Sequence, residues 1–167
     1  MNYNLLSPVT DVLVDDIKLS HFQTLGRKLK IHTHTIKPDL KGINIAIFGV
    51  MESRNSIYFL EQTLNLNEIR KSFYGLFPGN WTSKIAELGD IINGDQIQDT
   101  YLSVTSIVSS LLKKNIIPVI IGGSQDITYA NYRAYDKVKP MINIVNVDNS
   151  FDLGDSSKPI TNLSYVG

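Results

Sequence analysis

Residues 116–152 constrain this chain more than any other stretch. They read I-I-P-V-I-I-G-G-S-Q-D-I-T-Y-A-N-Y-R-A-Y-D-K-V-K-P-M-I-N-I-V-N-V-D-N-S-F-D. A short apolar run ends in two glycines, and a helical pattern follows. A second apolar run, 141–147, then ends in Asp148 and Asp152. Strand, helix and strand in this order imply parallel strands covered by helices. Such folds carry their chemistry at the carboxyl ends of the strands. A site is therefore expected where residues 122–125 and 148–152 meet.

The upstream chain supplies more of the same. Residues 43–50, I-N-I-A-I-F-G-V, are almost continuously apolar, as a strand covered on both faces must be. Residues 84–92 predict a further strand, and 116–121 and 141–147 two more. Helices are expected from Asn65 or Asn67 to Leu76, from Asp99 or Thr100 to Lys114, and over 124–138. In the first of these, Ile69, Phe73 and Leu76 fall on one stripe, which predicts the inner face. In the second, Tyr101, Val104, Val108 and Leu111 do the same. Residues 7–29 predict interrupted helix, with Ser7 as cap and Pro8 in the first turn. Ile17, Leu19, Phe22 and Leu25 are expected to be buried there. Residues 29–36, L-K-I-H-T-H-T-I, alternate like a strand and set His32 and His34 on one face.

Composition narrows the function classes. Sixteen basic and sixteen acidic side chains give a net charge of zero. No basic excess is available to neutralise a phosphate backbone, so nucleic acid is not the expected partner. There are no cysteines, which excludes disulfides and thiolate zinc sites and suits a reducing cytoplasm. No apolar run approaches the roughly 20 residues that span a bilayer, so a membrane is not expected either. With 167 residues, one α/β domain over 1–167 is the expectation.

Residue chemistry alone leaves the candidate sites open. Gly122-Gly123 after a buried strand lets the backbone approach a ligand, and the helix that follows can hold an anion. The same pair also serves as a plain turn before a helix cap. Asp148 and Asp152 can bind a hard divalent cation, or simply cap a loop. Glu52 and Arg54 leave a strand end in a polar loop, where function is frequent, or pair with each other at the surface. His32 and His34 can share a metal, or face solvent.

Five blocks in order resemble the ureohydrolases, the arginase, agmatinase and formiminoglutamase family. They are I-F-G-V-M-E-S-R-N-S (47–56), N-E-I-R-K-S-F-Y (67–74), E-L-G-D-I-I-N-G-D (87–95), I-P-V-I-I-G-G-S-Q-D-I (117–127) and V-D-N-S-F-D (147–152). The likeness is to the N-terminal part of the family and leans to its formiminoglutamase-like branch. It implies a three-layer α/β/α fold with a mostly parallel sheet. It also implies a reaction in which two manganese ions hold a hydroxide that attacks a guanidinium or formimino carbon.

The same resemblance shows what is altered. The family's Gly-Gly-x-His is Gly122-Gly123-Ser124-Gln125 here, so an amide replaces a ligand imidazole. The family's Asp-x-His-x-Asp is Asp148-Asn149-Ser150-Phe151-Asp152, so serine replaces the second histidine. A further Asp-x-Asp of the family would lie beyond Gly167. A domain that keeps the fold but has lost the reaction is the first expectation, with no metal or a weakly held magnesium or calcium at Asp148 and Asp152. A manganese-dependent hydrolase completed by a C-terminal half or a partner chain is the second. A non-catalytic binding or scaffold module, forming homo-oligomers or holding a small guanidino or formimino ligand, is the third.

Overall fold

A computed structural model describes residues 1–56, 65–138 and 141–147. Five strands form one sheet: β1 (Leu6–Ser7), β2 (Lys30–Ile31), β3 (Ile45–Val50), β4 (Ile85–Ile91) and β5 (Ile117–Ile121). The hydrogen-bonded order is β1-β4-β3-β5, and β2 also pairs with β4. The β2, β3, β4 and β5 pairings are parallel, and only β1 runs antiparallel to β4. Four α-helices accompany the sheet: α1 (Asp11–Leu19), α2 (Leu66–Tyr74), α3 (Ile97–Leu112) and α4 (Ile127–Asp136).

The alternation of side chains along β3 and β4 sorts the helices into two layers. Ala46, Phe48, Val50, Ala86 and Leu88 face α3 and α4, where Val104, Ile107, Val108, Leu111, Ala130 and Ala134 complete one core. Ile47 and Ile85 face the other way, onto Leu13 and Ile17 of α1 and Tyr74 of α2. The result is the expected three-layer α/β/α arrangement with a mostly parallel sheet.

β4 contains one irregularity that matters. Its pairing with β3 shifts between Ile47↔Glu87 and Gly49↔Asp90. The extra residue sits at Gly89, which has φ +84° and lies so close to β1 that a Cβ would fall 1.9 Å from the Ser7 carbonyl oxygen. Three residues apart, Glu87 and Asp90 would face opposite sides of a regular strand. The bulge turns both towards Arg70. The Arg70 guanidinium lies 3.1 Å from Glu87 and 2.8 Å from Asp90. The Tyr74 hydroxyl also donates to Glu87.

Several expectations are corrected. The inner face of α2 is Leu66, Arg70 and Tyr74, while Ile69, Phe73 and Leu76 are exposed. The buried acids of β4 need a cation and a hydroxyl beneath them, and that need rotates the helix away from its more apolar stripe. Ser7 is no helix cap but part of β1. Thr10 caps α1 instead, its hydroxyl accepting from the Leu13 amide at 3.4 Å. Ile17 and Leu25 are buried, but Leu19 and Phe22 are exposed. α3 starts at Ile97, two residues before Asp99, and the Asp99 carboxylate accepts from the Gln96 amide at 3.0 Å. Of residues 29–36 only Lys30–Ile31 form a strand. His32 is buried, with Nδ1 2.9 Å from the Leu88 carbonyl oxygen and its ring against Tyr3. His34 is exposed, so the two histidines do not share a site.

Residues 141–147 are not a strand. They pair with nothing in the sheet, and Val145 and Val147 are 87% and 94% exposed. A strand exists only where another edge takes up its backbone groups. Among the described residues, no strand does so. β5 has β3 on one side and, again among the described residues, no strand on the other.

Candidate functional site at the carboxyl ends of β3, β4 and β5

The three central parallel strands deliver three loops to one end of the sheet: 51–56 after β3, 92–96 after β4 and 122–126 after β5. Hydrogen bonds tie them together. The Glu52 carbonyl oxygen accepts from the Ser124 amide at 2.9 Å and from its hydroxyl at 3.3 Å. The Glu52 carboxylate is fully buried and accepts from the Arg54 amide, Nε and Nη2 at 3.0, 2.9 and 2.5 Å. It also accepts from the Thr100 hydroxyl at 3.0 Å. Arg54 continues across to the third loop, donating from Nη1 to the Asp95 carbonyl at 2.7 Å and from Nη2 to the Gly94 carbonyl at 3.0 Å. Those hydrogen bonds hold the Glu52 carboxyl below the usual carboxylate range, although burial acts in the opposite direction.

Gly122 and Gly123 sit where the sequence places them, at the end of β5. Gly123 has φ +84°, and a Cβ there would meet the Ile127 side chain at 2.8 Å. That conformation suits glycine and lets the chain double back into α4. Gln125 lies half-buried in the turn before α4, and its carbonyl oxygen accepts from the Thr128 amide at 3.0 Å. Asp126 gathers its neighbours. It accepts from the Ser124 hydroxyl, from the Tyr101 hydroxyl and, at 3.2 Å, from the Asn55 side-chain amide. Burial first, and Asp126 second, push the Tyr101 hydroxyl above its usual pKa.

The structure thus brings together Glu52, Arg54, Gly122, Gly123 and Gln125. The remaining expected site residues, Asp148, Ser150 and Asp152, lie outside the described residues. Sequence reasoning passed over Asn55, Thr100 and Asp126, and took Tyr101 only as part of a helix stripe. Ser-x-Asp at 124–126 resembles a helix-start pattern and could have flagged Asp126. Nothing local marks Asn55 or Thr100, whose roles arise from contacts over more than 40 residues of chain.

The donor set decides what this loop cluster can hold. Among the described residues, no group of three or more His, Cys, Asp or Glu side chains is placed to bind a metal ion. The two carboxylates that touch the 122–126 loop are committed: Glu52 to Arg54 and Thr100, Asp126 to Ser124, Tyr101 and Asn55. A glutamine amide oxygen is a poorer ligand than an imidazole nitrogen for a first-row divalent ion. The described residues do not fit a pair of manganese ions.

A wide cleft of about 810 Å³ lies elsewhere, at the amino ends of the strands, lined by Tyr3, Asp39, Lys41, Asn44 and Lys114 among others. It is a strand's length from the loop cluster. We give the loops precedence over the larger cleft, because they converge on buried, hydrogen-bonded side chains.

The comparisons agree with this geometry. Residues 44–164 match the sequence pattern of the arginase family. The formimidoylglutamase of Staphylococcus epidermidis is 29% identical over 102 residues, which are 59% of this chain and 33% of that protein. That of Staphylococcus aureus is 24% identical over 97% of this chain and 53% of its own length. Two solved structures share the fold. The formiminoglutamase of Trypanosoma cruzi, solved with Mn2+, superposes with a TM-score of 0.65 at 19% identity, covering 77% of this chain and 48% of that one. The formimidoylglutamase of Bacillus subtilis gives 0.64 at 18%, covering 78% and 45%. The chain spans about half, or less, of the length of these relatives. On the family pattern, over the residues that build the sheet and its loop cluster, this chain belongs to the arginase family.

Proposed function

We propose that this chain is a formiminoglutamase-like arginase-family domain, built as the N-terminal part of that fold, that has lost the hydrolytic reaction of its relatives. Gln125 carries the reading. It follows Gly122-Gly123-Ser124 at the end of β5, where the family resemblance calls for a ligand histidine. Ser150 stands at the second such position. Two imidazoles replaced by an amide and a hydroxyl leave Asp148 and Asp152 as the retained ligands. Two carboxylates hold at most a mostly hydrated magnesium or calcium, and do not assemble a bridged pair of manganese ions.

The test is turnover. The protein is incubated with manganese and, in turn, arginine, agmatine and formiminoglutamate, and release of urea, ammonia or formamide is followed. No release above the uncatalysed rate is expected. Release that disappears in Asp148→Ala would overturn the reading.

One observation favours a second reading, a metal-dependent hydrolase completed by more chain. The sheet is open at β5, and the apolar residues 141–147 lie exposed beside no strand among the described residues. Further strands, from a C-terminal half or a partner chain, would use both. Stoichiometric manganese in a complex with such a segment would favour this reading over the first. Cytoplasmic residence fits both readings. No helix among the described residues is long and apolar enough to cross a membrane.

A further inference from the structure

The rotation of α2 onto its Arg70–Tyr74 face leaves its more apolar stripe outward. Ile69, Phe73 and Leu76 are 45, 37 and 56% exposed. The stripe runs on into Phe77 and Phe22, 63 and 69% exposed, which flank the His21 ring at 5.5 and 4.6 Å between centroids. At about 200 Å² for a fully exposed large side chain, these five present roughly 500 Å² of apolar surface. That is at the upper end of what a monomer commonly shows as its largest patch, about 300–600 Å².

The charges around the stripe are arranged in opposite senses at its two ends. Glu68 lies beside Ile69, at the start of α2. Lys28 lies at the other end, sharing a crevice with Pro78 and Trp81. The Leu25 amide donates to the Leu76 carbonyl at 2.8 Å and holds that basic turn against the stripe. An antiparallel second copy, related by a twofold between Ser72 and Phe73, sets Ile69 of each copy against Leu76 of the other. It also brings Glu68 of each copy to the Lys28 end of the other. Such an isologous contact closes on itself, as twofold dimers do. Two patches of this size reach the roughly 1,000 Å² total that marks a specific interface. A bilayer surface fits less well, because Glu68, Asn65 and Asn67 flank the start of the stripe where cations would be needed.

We propose that this protein forms a twofold homodimer through the Ile69–Phe73–Leu76 stripe of α2 and the adjoining Phe22–Phe77 pair. The inference is independent of whether the carboxyl-end loops retain any chemistry.

Two measurements test it. Sedimentation of the chain across micromolar to hundred-micromolar concentrations should show a monomer–dimer equilibrium. Phe73→Glu should weaken it at least about 30-fold, the effect of losing a central contact. Glu68→Lys should weaken it several-fold, and Lys28→Glu added to it should restore it. Because the chain has no cysteine, Ser72→Cys provides an independent readout. Mild oxidation should convert it to a disulfide-linked dimer, while Ser106→Cys, exposed on α3 in the opposite layer, should stay monomeric. A chain that is monomeric throughout, a dimer unaffected by Phe73→Glu, or equal cross-linking of the two cysteine variants would overturn the proposal.

Discussion

Arg70 and Glu87 form an ion pair in which neither side chain is more than 1% exposed. The pair crosses from α2 to the central strand β4, and the bulge at Gly89 adds Asp90 to it. Burial pushes against charging Arg70, but Glu87 and Asp90 outweigh it and hold the guanidinium above its ordinary pKa. Removing one partner leaves the others buried without compensation. Arg70→Ala should therefore destabilise the fold by about 3–5 kcal/mol. Urea unfolding followed by circular dichroism measures this. Arg70→Met with Glu87→Leu should cost less than Arg70→Ala alone, since it removes the stranded charge as well.

The Glu52 carboxyl gives a pH prediction. Its hydrogen bonds from Arg54 place its folded-state pKa below the ordinary 4.5. The unfolded chain therefore takes up a proton before the folded one does. Stabilisation by Glu52 is fully present above about pH 4.5 and is lost as pH falls through the folded-state value. In Glu52→Gln that loss has no counterpart. Melting temperature measured from pH 7 to pH 3 should fall less steeply for Glu52→Gln on the acid side, from a lower starting point at pH 7. Parallel curves would show that Glu52 does not titrate this way.

The strands β3, β4 and β5 and the helices α3 and α4 are legible in the sequence, because their apolar runs and stripes face a core that the same stretches build. Ala46, Phe48 and Val50 pack on Val104, Val108 and Leu111, so local pattern and tertiary burial agree. α2 shows where the pattern fails. Its apolar stripe is not the buried one, since Arg70 answers acids 17 and 20 residues away, and no window on the helix contains them. Residues 141–147 fail in another way: their alternation is that of a strand, but pairing depends on an edge that the described residues do not supply. The glycine turn and Gln125 of the candidate site were legible from the family blocks. The Asn55–Tyr101–Asp126 contacts were not, because they depend on how three loops from distant strands meet.

Restoring the two imidazoles tests how far the metal site has decayed. Gln125→His with Ser150→His should raise manganese affinity over the native chain by at least about tenfold, the lower end of what even outer-shell changes do to metal sites. Equilibrium dialysis with metal analysis measures it. Gln125→His alone should gain less, because each ion of a bridged pair needs its own nitrogen ligand. No gain in the double variant would mean that the carboxylates at 148 and 152 are not placed as a family site requires.

His32 and His34 separate a structural histidine from a surface one within the same five residues. The His32 ring is buried against Tyr3, and its Nδ1 meets the Leu88 carbonyl oxygen at 2.9 Å. Leu88 is itself buried at the centre of β4. His32→Ala removes the packing and leaves that carbonyl's second acceptor site without its partner. A cost of about 2–3 kcal/mol is expected from the lost hydrogen bond and the cavity together. His34 is exposed, and His34→Ala should stay within about 0.5 kcal/mol of the native chain. Thermal or urea unfolding of the two variants, each with and without added zinc, separates the cases. If the pair held a metal, the two substitutions would cost similar amounts and zinc would stabilise only the native chain. If His32 is a core residue, the costs differ as stated and zinc shifts none of the three proteins.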